Sequence, residues 1–411
     1  MDMEVRTTVG VNSGTPFHSR TAALNKTTWW YGWTDYVIPD VFTTIADELA
    51  AVRSTVAMID MSPLPKIEVT GLDAARFLDY LSVRKTSANV VGHALYTAWC
   101  TPDGKLITDG LVFRLEENRY IVSSDSIFEW FMANQGEFDV TLRRCTDDYG
   151  VLSLQGPLST ATLSQATGED WSDFAFCQLR FANIDGCQIM VARQGFTGEV
   201  GYELWVARQD GPRVWDAVHA SGQQFGIRAA GEFALDLARL EAGMTLASTD
   251  YTNAGPDGRS AHVPADPANL SSPYEMGLGK FVNLEKGAFI GRDALRQEAE
   301  TGVRRKLIGL EFDWKALVDR YLALGEPPEI TPRVRWDAMA IKLDHTTVGR
   351  ATSLCWSPYL KRGIGFATVE ASLAVIGTEL AVDWVDQWGK PIGAIPARLV
   401  DYPFVKLKRA G

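Results

Sequence analysis

Short stretches of alternating apolar and polar residues recur along the chain, separated by segments with helical spacing. Lys66-Ile-Glu-Val-Thr70 alternates like a strand and ends at Gly71, and Asp73 stands at the N-cap position of a helix predicted over Ala74–Leu81. His93–Trp99 reads as a strand, Pro102-Asp103-Gly104 as a turn, and Lys105–Arg114 with Arg119–Ser124 as an antiparallel pair. A helix over Ile127–Asn134 follows, then strands over Val140–Arg144 and Val151–Gln155, and Gly156-Pro157 opens another helix. The same vocabulary continues with strands Gln178–Ile184, Cys187–Arg193 and Gly201–Ala207, and helices Gly211–Phe225 and Glu232–Ala242. Near the N-terminus only Thr43–Val52 has helical spacing. Residues 250–272 are rich in Gly, Pro, Ala, Ser and Asp and read as a connector; strands Arg304–Phe312, His345–Trp356, Gly363–Ala367 and Glu379–Val385 form a β-dominated tail. The pattern predicts an α+β fold with a separate, barrel-like C-terminal unit. It divides into an arm over 1–55, α+β units over 56–150 and 151–272 that can interleave, and a β-rich domain over 273–411.

Composition narrows the chemistry. With 46% apolar and 22% charged residues the chain is globular rather than disordered. Forty Lys+Arg against 51 Asp+Glu leave −11, a surface that repels phosphate backbones, so no nucleic-acid partner is expected. The densest basic run, Arg304-Arg305-Lys306, has three charges only and reads as a solvated face. No window approaches ~20 apolar residues, so no membrane span is expected, and Met1–Arg6 begins acidic with no apolar stretch behind it. The five Cys are scattered without C-x-x-C, a usage that fits reduced thiols and a cytoplasmic location. Five His without metal-ligand spacing predict no metal site, and glycine-rich phosphate or dinucleotide loops are missing.

Specificity comes from a set of short stretches in order. They are Ile59-Asp-Met-Ser62, Gly104-Lys-Leu-Ile-Thr-Asp109, Leu154-Gln-Gly-Pro157, Arg193-Gln-Gly-Phe-Thr-Gly-Glu-Val-Gly-Tyr-Glu-Leu204, Ala238-Arg-Leu-Glu-Ala-Gly243, Pro273-Tyr-Glu-Met-Gly-Leu-Gly279 and Phe289-Ile-Gly-Arg292. Together, over about residues 55–295, they resemble the glycine-cleavage T-protein (aminomethyltransferase) superfamily of folate-dependent one-carbon transferases. Gly349-Arg350 through Pro403-Phe404 resembles its C-terminal barrel. The resemblance implies a three-domain cloverleaf around a central hole for tetrahydrofolate. Residues 313–344 match none of these patterns.

Taken alone, Asp109 is a hairpin residue of the kind that solvent usually covers. The resemblance places it on the second Asp of the family's Gly-Gly-Ile-x-Asp-Asp, the acid beside the reacting folate nitrogens, where it would balance arriving positive charge. The first Asp is replaced by Thr108 and Gly110 follows, a departure that looks more like the demethylase branches than the aminomethyltransferases. Glu199, in the Thr-Gly-Glu turn, is implied as the bidentate acceptor for the amino edge of a pterin. Arg239 is either an i,i+3 partner of Asp236 or, by the resemblance, a folate ligand. Tyr96 and Tyr120 match positions lining the same hole, although strand aromatics commonly just pack.

The aromatic run Trp29-Trp30-Tyr31-Gly32-Trp33 precedes the resemblance and bears on the donor. Such rings staple an arm to a core, stack on a methoxy-aromatic compound, or box a sulfonium or quaternary ammonium by cation–π attraction. Trp30, Tyr31 and Trp33 are therefore candidate substrate-binding residues. An aryl methyl ether leaves as a phenolate and benefits from an acid, for which His18 and Tyr31 are the nearby candidates; an onium donor needs none. The sequence thus predicts an enzyme, a tetrahydrofolate-dependent methyltransferase or demethylase. Its small-molecule methyl donor is expected to be methoxy-aromatic. The alternatives are an onium or N-methyl donor, aminomethyl transfer, and a non-catalytic folate binder.

Overall fold

A computed structural model of the chain describes residues 13–256, 269–329 and 333–408. The acidic start and the middle of the predicted connector lie outside the described residues. The fold is α+β, with two mixed units and a closed barrel.

The first sheet runs in the order 93–100, 106–116, 119–124, 66–70, 141–144, all antiparallel. Its strands follow the alternation: Val69, Tyr120 and Val122 point to one face and pack under the helix Ala74–Leu81 with Phe77, Leu78 and Leu81. Ala94, Ala98, Phe113 and Ile121 point to the other. Asp73 does precede that helix, but its carboxylate binds the Asp139 backbone and Arg76 rather than capping the helix.

The second sheet is ordered 179–184, 187–192, 201–207, 149–155, 57–60, 228–229. Strand Ala57–Asp60 therefore belongs to the later unit's sheet, so the chain crosses between the two units early. Tyr202, Leu204 and Val206 face the helices Ser159–Thr167 and Gly211–Gly222, while Trp205 turns toward the first sheet.

The barrel closes in the order 305–312, 362–370, 346–357, 339–343, 379–385, 391–400. Strand Pro391–Val400 and helices Arg292–Thr301 and Trp314–Ala323 were not resolved by periodicity.

Two segments without clear sequence signals prove structured. The aromatic run is strand Trp29–Trp33, paired antiparallel to Tyr36–Val41 across a turn in which Thr34 has φ 52°. The arm is thus a small sheet, because aromatic and β-branched residues favour a half-buried pleat. Residues 313–344 begin with a helix capped by Asp313, which accepts from the Lys315 and Ala316 N–H groups. Farther along, Arg333 donates to both carboxylate oxygens of Asp40 at 3.2 Å and lies over the Phe233 ring. Barrel and N-terminal hairpin are thereby tied together.

Candidate functional site

Where the two sheets, the helix Glu232–Glu241, the hairpin and the barrel meet, they enclose a cavity of about 1820 Å³. Typical small-ligand sites measure ~300–1,000 Å³, so this one has room for two bound molecules.

Asp109 lines it. Residues 109, 111 and 113 share the inward face of their strand, and Asp109 pairs with Ala98, whose small side chain leaves the space open. The Tyr96 hydroxyl donates to Asp109 Oδ2 at 2.6 Å and the Tyr251 hydroxyl donates to Oδ1. Burial raises the Asp109 carboxyl above the usual carboxylate range, and the two tyrosine hydroxyls partly offset that by favouring the ionised form.

Among the other carboxylates that line the cavity, Asp125 and Glu203 stand out, and neither is singled out by the sequence. Asp125 follows the strand that ends at Ser124; burial, reinforced by the charge of Asp109, lifts its carboxyl to about 6. Glu203 occupies the inward face of Gly201–Ala207, opposite in sense to Tyr202 and Leu204. Among the described residues its one side-chain donor is the Trp205 indole N–H at 3.3 Å. Burial raises its pKa, opposed by that hydrogen bond and by the charge of Lys66. Buried Lys66 donates to the Ser62 and Leu64 carbonyls at 3.0 and 2.6 Å, and burial lowers it to about 8. Alternation signals Glu203, the one acid in an otherwise apolar strand.

Aromatic rings wall one end. Tyr31 and Trp33, two apart on the hairpin strand, both line the cavity. Trp336 from the 313–344 segment stands edge-on to Tyr31 at 6.0 Å and 88°, its indole N–H held by Asp236 Oδ2 at 2.6 Å.

Of the remaining sequence candidates, Trp30, His18, Tyr120 and Glu199 do not line this cavity, whereas Arg239 does. Trp30 falls on the opposite face of the hairpin strand from Tyr31, lies tilted at 39° against the His18 ring at 5.2 Å, and neither ring lines the cavity. His18 is therefore not placed to donate a proton there. Tyr120 lies on the helix-facing side of the first sheet, fully buried in that core, because it alternates with the inward Ile121. Glu199 is turned away and bound in a buried ion-pair group: Arg53 reaches it at 3.3 Å and Lys408 at 3.1 Å, while Arg53 also holds Glu241 at 2.7 Å. The turn is wedged by Gln155, whose amide fills the space a side chain at Gly195 or Gly201 would need. Arg239 borders the cavity, but its guanidinium is taken up by Asp236 at 2.8 Å, Asp250 at 2.7 Å and the Ser353 hydroxyl at 2.9 Å. That is the structural alternative, extended across to the barrel.

Residues 17–255 match the family model of the GCVT N-terminal domain, and 305–406 that of the glycine cleavage T-protein C-terminal barrel domain. The chain is 32% identical over 364 residues to an aminomethyltransferase of Lysinibacillus sphaericus (strain C3-41), covering 87% of this chain and 89% of that protein. It is 31% identical over 399 residues to one of Saccharopolyspora erythraea, covering 95% and 98%. Among solved structures, the glycine cleavage system aminomethyltransferase T from Bartonella henselae superposes with a TM-score of 0.79 at 20% identity, over 96% of this chain and 99% of that one. This last likeness concerns the fold. Among the described residues no helix is long and apolar enough to cross a membrane.

Proposed function

The chain belongs to the glycine-cleavage T-protein family and is a one-carbon transferase; from that premise we propose that it moves a methyl group from a small methoxy-aromatic donor to tetrahydrofolate. The observation that carries this reading is one cavity in which Asp109, held between two tyrosine hydroxyls, shares the space with Glu203 and an aromatic wall.

The residues fit a reduced folate. The Glu203 carboxylate has a single weak donor, which leaves oxygen lone pairs for the two parallel N–H groups of an amino-pyrimidinone edge. When bound, the folate supplies the nucleophilic nitrogen that accepts the carbon. Asp109 is suited to take the proton displaced from that nitrogen, since its raised pKa brings it nearer the working pH. Tyr31, Trp33 and Trp336 are suited to hold a flat donor, with edge-to-face contact worth ~0.5–1.5 kcal/mol beyond burial. Alignment of donor and acceptor supplies most of the acceleration in a displacement at carbon.

A second reading, aminomethyl transfer, is favoured by the relatives, which are named aminomethyltransferases. The test is a calorimetric titration with tetrahydrofolate of wild type, Glu203→Gln and Glu199→Gln. Tenfold or greater weakening (~1.4 kcal/mol) in Glu203→Gln alone supports the site; equal binding by all three refutes it. Methoxy-aromatic, onium and aminomethyl donors are then compared by mass analysis of the folate product. A methyl product from a methoxy-aromatic donor supports the leading reading, and a methylene product from an aminomethyl donor supports the second.

A further inference from the structure

Buried carboxylates in this protein are compensated almost everywhere. Asp60 accepts from Thr15 and the Ser62 N–H; Glu199 and Glu241 face Arg53; Asp236 and Asp250 face Arg239; Glu275 faces Arg305. This is the expected pattern, because an uncompensated buried charge is costly. Asp125, half-buried where it borders the cavity, lacks such a partner. Among the described residues, no cation or hydrogen-bond donor reaches its carboxylate, and the charge that acts on it is that of another acid, Asp109. Even so, it is not sealed in the core, since it borders the cavity.

We propose that Asp125 is the proton donor of this site, holding a proton beside Asp109 and passing it to the leaving group of the carbon donor. This assignment rests on the methoxy-aromatic reading above.

The neighbouring groups decide which acid keeps the proton. Gly110 pairs with Ser124, so the residues flanking that pair, Asp109 and Asp125, come from adjacent strands. A side chain at Gly110 would meet the Ser123 carbonyl at 2.4 Å, so glycine permits the close approach. Asp109 receives two hydroxyl donors that favour its ionised form, and Asp125 receives none, so of the two acids Asp125 is the one that keeps its proton more readily. The other ionisable groups nearby do not reverse this. Tyr96 and Tyr251 have committed their hydroxyl protons to Asp109, and burial with the charge of Asp109 raises Tyr251 far above its ordinary value. Glu129 and Arg144, on the same cavity wall, pair with each other. Glu203 and Lys66 are a separate couple.

The step balances. The methyl carbon–oxygen bond breaks with its electron pair staying on oxygen, the methyl forms a bond to the folate nitrogen, Asp125 gives its proton to the phenolate oxygen, and Asp109 takes the proton the nitrogen sheds. Solvent exchange returns both acids to their starting states.

The test compares the full chain with Asp125→Asn. Tetrahydrofolate affinity within about twofold shows that the variant is folded and the folate site intact. Difference infrared spectra of the folate-bound protein, without donor, should contain a protonated-carboxyl band that titrates near pH 6 in wild type and is missing in the variant. Its absence in wild type overturns the proposal. With a methoxy-aromatic donor, kcat should drop ~100-fold or more with little change in KM, and less for donors whose phenols are more acidic. Equal kcat in both proteins also overturns it. If wild type demethylates no methoxy-aromatic compound, the donor reading fails, while the infrared band still decides whether Asp125 holds the proton.

Discussion

The Tyr96 hydroxyl reaches Asp109 Oδ2 at 2.6 Å from the adjacent antiparallel strand, on the diagonal set by the Ala98–Asp109 pair. A phenylalanine there keeps the ring and removes the donor. Tyr96→Phe should raise the Asp109 pKa further, because the hydroxyl favours the ionised form. The limb on which activity rises with pH should move to higher pH, with kcat down ~10-fold or more for one lost hydrogen bond to a charged acceptor. A pH profile of single-turnover rates checks this; an unmoved limb would mean that Asp109 is not the titrating group.

Arg53 joins Glu241, Glu199 and the Thr197 and Ala238 carbonyls inside the protein. Removing it takes the cation from buried Glu241, which keeps the Ser357 hydroxyl, and leaves Glu199 to the half-exposed Lys408. Arg53→Ala should lose about 3–5 kcal/mol of stability. Glu199→Gln should lose less, about 1–3 kcal/mol, since Arg53 retains Glu241. Urea unfolding followed by circular dichroism reads both, and a wild-type midpoint in Arg53→Ala would contradict the geometry.

Arg239 connects its own helix to Asp250 and to Ser353 of the barrel. Its loss should therefore uncouple the barrel as well as destabilise the helix. Arg239→Lys cannot reproduce the planar fork of donors, so it too should lower the melting temperature. Calorimetry should show the unfolding endotherm broadening or splitting in Arg239→Ala; a single sharp transition at the wild-type temperature would refute the coupling.

Lys66 gives a pH signature of opposite sense to an ordinary ion pair. Burial lowers its folded-state pKa to about 8 from the ordinary lysine value of 10.5. Below pH 8 the folded state carries a buried charge that the unfolded chain solvates freely. Between about 8 and 10.5 the unfolded chain binds more protons, so this group's contribution to stability rises with pH. Lys66→Met should abolish that rise. Denaturation midpoints at pH 7.5 and 10 test it, and identical pH slopes in both proteins would exclude Lys66 as the source.

Much of the fold was legible because alternation and helical spacing report burial directly. Lys66–Thr70, Gly201–Ala207 and Glu379–Val385 have the boundaries that their patterns predict. The hairpin Trp29–Val41 was not legible, because aromatic runs without clean alternation do not distinguish a strand from an irregular staple. At the site, Asp109, Tyr96, Tyr31 and Trp33 share the cavity. Glu199 and Glu203 show what sequence order alone leaves open: a motif names a turn, while the pleat decides which carboxylate faces inward. Tyr120 and Trp30 fall on the far faces of their strands for the same reason. Trp336 had no local signal, because its position depends on a segment reaching across from the barrel.

The Arg333–Asp40 contact joins residues 293 positions apart. At about 5–20 residues per second of synthesis, the hairpin waits roughly 15–60 s for its partner to emerge. During that interval its tryptophans are uncovered and the cavity lacks one wall. Assembly of the binding chamber is thus a late event in the life of each new chain, and its aromatic end is the place where a nascent molecule is most vulnerable to association with its neighbours.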